Sequence, residues 1–93
     1  NSGIENIVKK LDEFNCNLDF YDPWADRKEI KKIFNVYPKT EVRQNTYDGI
    51  IIAVAHKEFK KMGIKTILSF CKKNHVIYDL KHLFSKNLTS LRL

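Results

Sequence analysis

Residues 49–55 read GIIIAVA, and this stretch decides the fold. It carries no charge, contains three consecutive isoleucines and is far too short to cross a membrane. Its apolar residues do not alternate with polar ones, which is typical of a strand covered on both faces, as in a parallel sheet. We therefore expect residues 49–55 to form the central strand, with further short strands at 18–21 and 76–79.

Helices are predicted between these strands. Apolar residues recur at three-and-four spacing over residues 3–14, after a Ser-x-x-Glu capping box that begins at Ser2, and the helix should stop near Asn15. Asp26 should cap a second short helix that stops near Asn35. Residues 57–73 predict a third helix, bent at Gly63.

The resulting order is helix, strand, helix, strand, helix, strand, with no hairpin signal between strands. Such alternation builds an α/β fold, so we expect a Rossmann-like three-layer domain with a mostly parallel sheet. A doubly wound domain ordinarily opens on a strand, whereas this sequence opens on a helix cap. We therefore expect the first strand of the sheet to be absent from this chain.

Length and composition indicate one domain spanning residues 1–93, with 43% apolar residues to form its core. The two cysteines, Cys16 and Cys71, provide neither a disulfide framework nor the short paired spacing of a zinc site. This cysteine usage favours a reduced, cytoplasmic setting. No window resembles a membrane span or a signal peptide, so we expect no membrane association.

The net charge of +6 is confined to the second half of the sequence. Residues 1–47 balance eight basic against eight acidic side chains, whereas residues 48–93 carry nine basic and three acidic ones. This surplus suggests an anionic partner. Lys57, Lys61 and Lys65 step by four and would form one helical stripe, for which a solvated helix face is the simpler interpretation. The stretch 57–73 contains no arginine, which argues against a nucleic-acid surface.

Polar side chains follow each predicted strand, where open α/β sheets bind their ligands. Asp22 follows the first, His56 and Lys57 follow the second, and Lys81 and His82 follow the third. For Asp22 the alternatives are a turn former before proline and an acceptor for ribose hydroxyls. For His56 they are a cap of the next helix and a donor to a phosphate or sugar. Lys81 is either a solvated lysine or a contact to an anion held over the sheet.

The sequence contains no recognisable catalytic constellation. Three glycines form no Gly-x-Gly-x-x-Gly or phosphate-cradling loop, so a complete dinucleotide site is not encoded. The three histidines lack metal-ligand spacing, and neither cysteine has a base beside it in the sequence. We therefore predict no catalytic residue and no metal site within the chain, and the residues alone name no reaction.

Three motifs in a fixed order carry a family resemblance. They are Tyr-Asp-Pro at 21–23, Ala-Val-Ala-His-x-x-Phe at 53–59 and Tyr-Asp-x-Lys at 78–81. With the helices between them, they closely resemble the C-terminal UDP-binding domain of the UDP-glucose/GDP-mannose dehydrogenase family over essentially the whole chain. The Ala-His-Lys-Glu-Phe version at 55–59 is more similar to the branch that acts on UDP-N-acetylhexosamines in capsule and O-antigen precursor pathways.

The resemblance implies a parent enzyme that oxidises a sugar C6 alcohol to a carboxylate in two NAD-dependent steps, through a thioester on a cysteine. NAD and that cysteine would belong to preceding domains, so this piece alone should hold no cofactor and should not catalyse. It implies a UDP-sugar partner contacted by Lys81, with Asp22 and His56 at the site rim, and a homodimeric parent. His82 departs from the small residue or arginine often found there.

Two alternatives from other classes remain open at this point. One is an independent nucleic-acid-binding module that uses the basic half of the chain. The other is a regulatory α/β interaction domain without a small ligand. A salt-dependent gel shift distinguishes the first from a nucleotide-sugar-binding lobe, and ligand-detected NMR against UDP, GDP and UDP-sugars distinguishes the second.

Overall fold

A computed structural model describes residues 2–89 of the chain, except for the side chain of Ser2. The chain divides into two compact units, Asn1–Val42 and Arg43–Leu93. The elements, in chain order, are α1 (Ser2–Glu13), α2 (Arg27–Phe34), β1 (Tyr47–Ile52), α3 (Lys57–Met62), α4 (Ile64–Ser69), β2 (Cys71–Asp79) and a 3₁₀ turn (Lys86–Leu88).

In the first unit both predicted helices form and end where expected. Asn15 follows α1 in the left-handed conformation, with φ 60°. Asp26 caps α2 by accepting a hydrogen bond from the Lys28 amide at 2.9 Å, and Asn35 ends it, again at φ 60°. The serine hydroxyl of the predicted capping box on α1 lies outside the described residues.

The predicted strand at 18–21 was wrong. This segment is extended but belongs to no sheet in the described part of the chain. One backbone hydrogen bond, from the Lys39 amide to the Phe20 carbonyl at 2.7 Å, joins it to a neighbouring segment. The Phe20 ring instead stacks on Phe34, with centroids 4.7 Å apart.

In the second unit β1 and β2 pair in parallel, which confirms the α/β class with a parallel sheet. Ile50 lies opposite Ile77, and Ile52 lies opposite Asp79. The core of the unit consists of Ile52 and Ile77 from the strands, together with Ile67 of α4 and Cys71 at the start of β2.

The strand that the apolar stretch forms, β1, is shorter and more exposed than expected. β1 ends at Ile52 rather than at residue 55, because β2 turns away after Asp79 and leaves residues 53–55 no partner. Within the described residues β1 pairs with β2 alone, and Ile51 is 37% exposed, so the expectation of a central strand covered on both faces was wrong.

The predicted helix over 57–73 was partly wrong. It breaks at Gly63, as expected, into α3 and α4, so Lys57 and Lys65 stand on different helices and the continuous lysine stripe does not form. The helix also ends at Ser69, and residues 71–73 begin β2. The carbonyls of Ser69 and Phe70 accept the amides of residues 45–47 at 2.9–3.0 Å, and are therefore not available to a further helical turn.

Candidate functional site

The carboxyl ends of β1 and β2 define the candidate site. Ile52 and Asp79 are register partners, and the Leu80 amide donates to the Ile52 carbonyl at 3.0 Å, one step beyond the last pair. Because the strands are parallel, the segments 53–57 and 80–84 leave the sheet at the same edge. The structure thus brings together, at this edge, the two segments that carry four of the five predicted site residues.

His56 and Lys57 lie at the start of α3. The His56 carbonyl accepts the Phe59 amide at 3.0 Å, which places His56 at the backbone N-cap position, but its side chain makes no capping hydrogen bond. Its ring lies 5.7 Å from the Phe59 ring, at an angle of 47°. The imidazole is half-buried, and Lys57 is exposed. The alternative of a helix-capping His56 is therefore confirmed for its backbone position and not for its side chain.

Lys81 and His82 lie on an exposed turn whose backbone is hydrogen-bonded to the side chain of Asp79. This aspartate is completely buried, at 0% exposure. Its two carboxylate oxygens accept the amides of Leu83, at 3.0 Å, and Phe84, at 2.9 Å. His82 adopts the left-handed conformation, with φ 52°, which is uncommon for a residue with a Cβ. The chain therefore makes a tight turn at 80–84 around a buried carboxylate.

We did not predict the role of Asp79. One sequence signal could have indicated this role. An acidic residue ends an apolar strand, and the apolar residues Leu83 and Phe84 follow it within five positions. Buried charges require hydrogen-bond partners, and amides of a turn are the nearest donors.

Asp22 belongs to the first unit, whereas the other four predicted residues belong to the second. One of its carboxylate oxygens accepts the Trp24 amide at 3.1 Å, across Pro23. This contact confirms the turn-forming role that we gave as one alternative for Asp22. Its contact with a ribose remains a prediction.

A groove in the first unit contains none of the five predicted residues. Its volume is about 500 Å³, and it lies between α1 and the segments around α2. Its apolar lining includes Val8, Leu18, Phe20 and Phe34, and Cys16 lies at its side. Glu5, Lys9, Asp12 and Asn35 supply the polar part of its lining.

The described residues do not fit a dinucleotide cofactor. Gly49 lies inside β1 and Gly63 joins two helices, so neither stands at a strand-to-helix turn, where a dinucleotide fingerprint has its glycines. Over residues 2–89, no three histidine, cysteine or acidic side chains are grouped as metal ligands. Within the same range, none of the helices has both the length and the apolar content to cross a bilayer.

Cys71 does not resemble an activated nucleophile. Cys71 is buried, with its thiol 3.9 Å from the Ile67 carbonyl oxygen. Burial raises the pKa of the Cys71 thiol above its ordinary value, which opposes formation of the reactive thiolate. Cys16 is exposed.

Comparison with known proteins agrees with the motifs. UDP-N-acetyl-D-glucosamine 6-dehydrogenases of Salmonella typhi and Pseudomonas aeruginosa are each 40% identical to this chain over 93 residues, all of this chain and 22% of the relative. Protein CapL of Staphylococcus aureus is 24% identical over 87 residues, which cover 94% of this chain and 20% of that protein. No solved structure matches the chain significantly.

The chain spans about a fifth of the length of the curated relatives that it matches. Residues 1–86 match the UDP binding domain of the UDP-glucose/GDP-mannose dehydrogenase family. This match covers nearly the whole chain and agrees with the full-length identity of 40%. Both findings confirm the resemblance seen in the three ordered motifs, and the chain therefore belongs to the UDP-glucose/GDP-mannose dehydrogenase family.

Proposed function

We propose that this chain is the UDP-binding lobe of an NAD-dependent UDP-sugar 6-dehydrogenase, whose substrate is a UDP-N-acetylhexosamine. The observation that carries the proposal is the 40% identity, over all 93 residues, to two enzymes named UDP-N-acetyl-D-glucosamine 6-dehydrogenase. UDP-glucose is the alternative substrate within the same family. The parent would act in the cytoplasm as a homodimer, supplying uronic acids for capsule or O-antigen precursors.

The sheet edge supplies a chemically suitable position for the UDP group. Lys57 and Lys81 are exposed on the two segments that leave this edge, and the unit that carries them holds the whole positive surplus of the sequence. A diphosphate brings about two negative charges, which an ammonium group attracts. His56, as a half-buried ring at the same edge, supplies a hydrogen-bonding group, and His82 supplies another on the turn.

In this proposal the chain binds and orients, and it does not itself carry out the chemistry. Lys81 and Lys57 would neutralise the diphosphate, while His56 and His82 would limit how the nucleotide lies. Holding the nucleotide in this way fixes the attached sugar relative to the reacting groups, and such positioning lowers the entropic part of the barrier. NAD, which accepts the hydride when bound, and the nucleophilic cysteine would both belong to other parts of the parent enzyme.

Isothermal titration calorimetry of the full-length protein with UDP tests the proposal. We expect saturable one-site binding of UDP, and NADH formation when UDP-N-acetylglucosamine and NAD are both added. GDP serves as a control with the same diphosphate and a different base. Absence of UDP binding at low salt would contradict the proposal, and a gel shift with nucleic acid under those conditions would favour the alternative of a basic nucleic-acid-binding module.

A further inference from the structure

The buried carboxylate of Asp79 has no role in the function proposed so far. It ends β2 and is 0% exposed, and a buried ionised group is unfavourable unless it is well hydrogen-bonded. Its partners are both backbone amides of the turn that follows, those of Leu83 and Phe84. Charge-assisted hydrogen bonds of this kind are stronger than neutral ones, so the turn is held at two points.

The turn is fixed at its start as well. The Leu80 amide donates to the Ile52 carbonyl of β1 at 3.0 Å, and the His82 amide donates to the Asp79 carbonyl at 3.4 Å. Lys81 lies between Leu80 and His82, is exposed, and takes part in neither of these two hydrogen bonds. Its backbone position is therefore determined by neighbours on both sides, while its side chain is exposed and can reach a ligand.

We propose that Asp79 is a positioning residue for UDP binding: its carboxylate holds the 80–84 turn in one shape and so keeps Lys81 at the edge of the sheet. The inference rests on the proposed function, because it requires that UDP binds there. Asp79 does not touch the nucleotide in this proposal and acts only through the turn. If the turn samples other shapes, the measured affinity for UDP falls in proportion to the fraction of molecules whose turn has the shape that binds UDP.

Asp79→Asn is the principal test, made in the full-length protein. An asparagine has one carbonyl oxygen, so one of the two amides loses its acceptor and meets an NH₂ group instead. We expect UDP to bind about tenfold more weakly, as for a turn that is competent about a tenth of the time. In NMR spectra the amide proton that loses its acceptor, that of Leu83 or that of Phe84, should shift upfield.

Asp48→Asn is the matched control. Asp48 lies on β1 near the opposite end of the same sheet, where it is exposed and pairs with Lys72 at 3.4 Å. The substitution removes the same charge without touching the turn. We expect the affinity of this variant for UDP to equal that of the wild type.

A double-mutant cycle with Lys81→Ala distinguishes positioning from a general structural effect. If Asp79 acts through Lys81, the Asp79→Asn substitution should weaken UDP binding much less in the Lys81→Ala protein than in the wild type. Equal losses in both backgrounds would overturn the inference, as would wild-type affinity in Asp79→Asn alone. Failure of the wild type to bind UDP would instead overturn the proposed function.

A second pair of variants tests the shape of the turn without touching the core. His82→Gly and His82→Val both remove the exposed imidazole, but only glycine accepts φ 52° readily, and valine strongly disfavours it. We expect His82→Val to bind UDP about fivefold more weakly than His82→Gly, which corresponds to about 1 kcal/mol. Equal affinities would overturn the inference even if Asp79→Asn fails to fold.

Discussion

Ile52 lies directly opposite Asp79 in the parallel register, so the two strands of the sheet end side by side. One further hydrogen bond, from the Leu80 amide to the Ile52 carbonyl, closes the ladder. This alignment brings the segments after both strands to one edge of the sheet. Under the proposed function, the diphosphate would lie at this edge.

Reversal of the charge at Lys81 should weaken UDP binding by about tenfold or more, because Lys81→Glu replaces an attraction for the diphosphate with a repulsion. Calorimetry of the full-length protein at low salt measures the effect. Lys73→Glu is the control, since Lys73 is exposed in β2 far from the carboxyl edge. Added salt should shrink the difference between the variants by screening exposed charges, and equal affinities for both variants would rule out a role for Lys81.

Gly63 should not tolerate a side chain. It joins α3 to α4 with φ 87° and ψ 155°, a conformation essentially restricted to glycine, although a Cβ there would meet no other atom. We expect Gly63→Ala to lower the free energy of unfolding by about 1–3 kcal/mol in urea titrations followed by circular dichroism.

Gly49→Ala provides the comparison for that measurement. A Cβ at Gly49 would lie 3.6 Å from the Val76 carbonyl oxygen, which is ordinary contact, and Gly49 has no positive φ. The substitution should be neutral or stabilise the fold by about 0.5 kcal/mol, because alanine is less flexible in the unfolded chain. A larger loss at Gly49 than at Gly63 would contradict the conformational explanation.

Ile77 should contribute more to stability than its neighbour Val76. Ile77 is 1% exposed in the core, whereas Val76 is 45% exposed on the other face of β2. Ile77→Ala should lower the free energy of unfolding by about 2–5 kcal/mol through lost burial and a residual cavity. Val76→Ala should change it by less than about 1 kcal/mol. Urea titration of both variants provides the measurement, and similar losses would contradict the assignment of the core.

Cys71 should make the protein less stable at alkaline pH. Burial raises the pKa of its thiol, so the folded protein retains the proton at pH values where the unfolded chain has lost it. The contribution of the protonated Cys71 thiol to the free energy of unfolding is complete below the ordinary thiol pKa, about 8.5. It is lost as the pH rises through the raised pKa of the folded protein. Between pH 7 and pH values above about 9, wild type should therefore lose more stability than Cys71→Ala.

A thiol reagent provides an independent check on the same residue. In the folded protein Cys16 is exposed and Cys71 is buried, so the reagent should modify Cys16 rapidly and Cys71 only upon unfolding. Mass spectrometry of tryptic peptides identifies the modified residue. Rapid modification of Cys71 under native conditions would show that α4 and β2 open easily.

Local chemistry made the helix ends and the edge of the sheet predictable. Asn15, Asp26 and Asn35 act within one turn of their own position, and residues 50–52 and 77 are apolar enough to indicate buried strands. Parallel pairing then placed His56 and Lys81 on segments at the same edge. These features depend on neighbours in the sequence and could be predicted.

Contacts between distant residues decided the rest. Residues 71–73 carry a helical pattern, yet they form a strand because the amides of residues 45–47 occupy the carbonyls that a helix would need. Likewise, the hydrogen bonds of Asp79 depend on the shape of the turn that they maintain. Neither arrangement follows from periodicity, because both depend on which segments meet in space.

The register shift at the beginning of the sheet has a consequence for how this chain can vary in length. Tyr47 pairs with Cys71, and Gly49 pairs with Val76. Between these two pairs β2 has four residues, 72–75, whereas β1 has one, Asp48. Lengthening or shortening this bulge by a residue would alter its size but leave Ile52 opposite Asp79. Insertions or deletions at 72–75 should therefore leave the carboxyl ends of the two strands side by side.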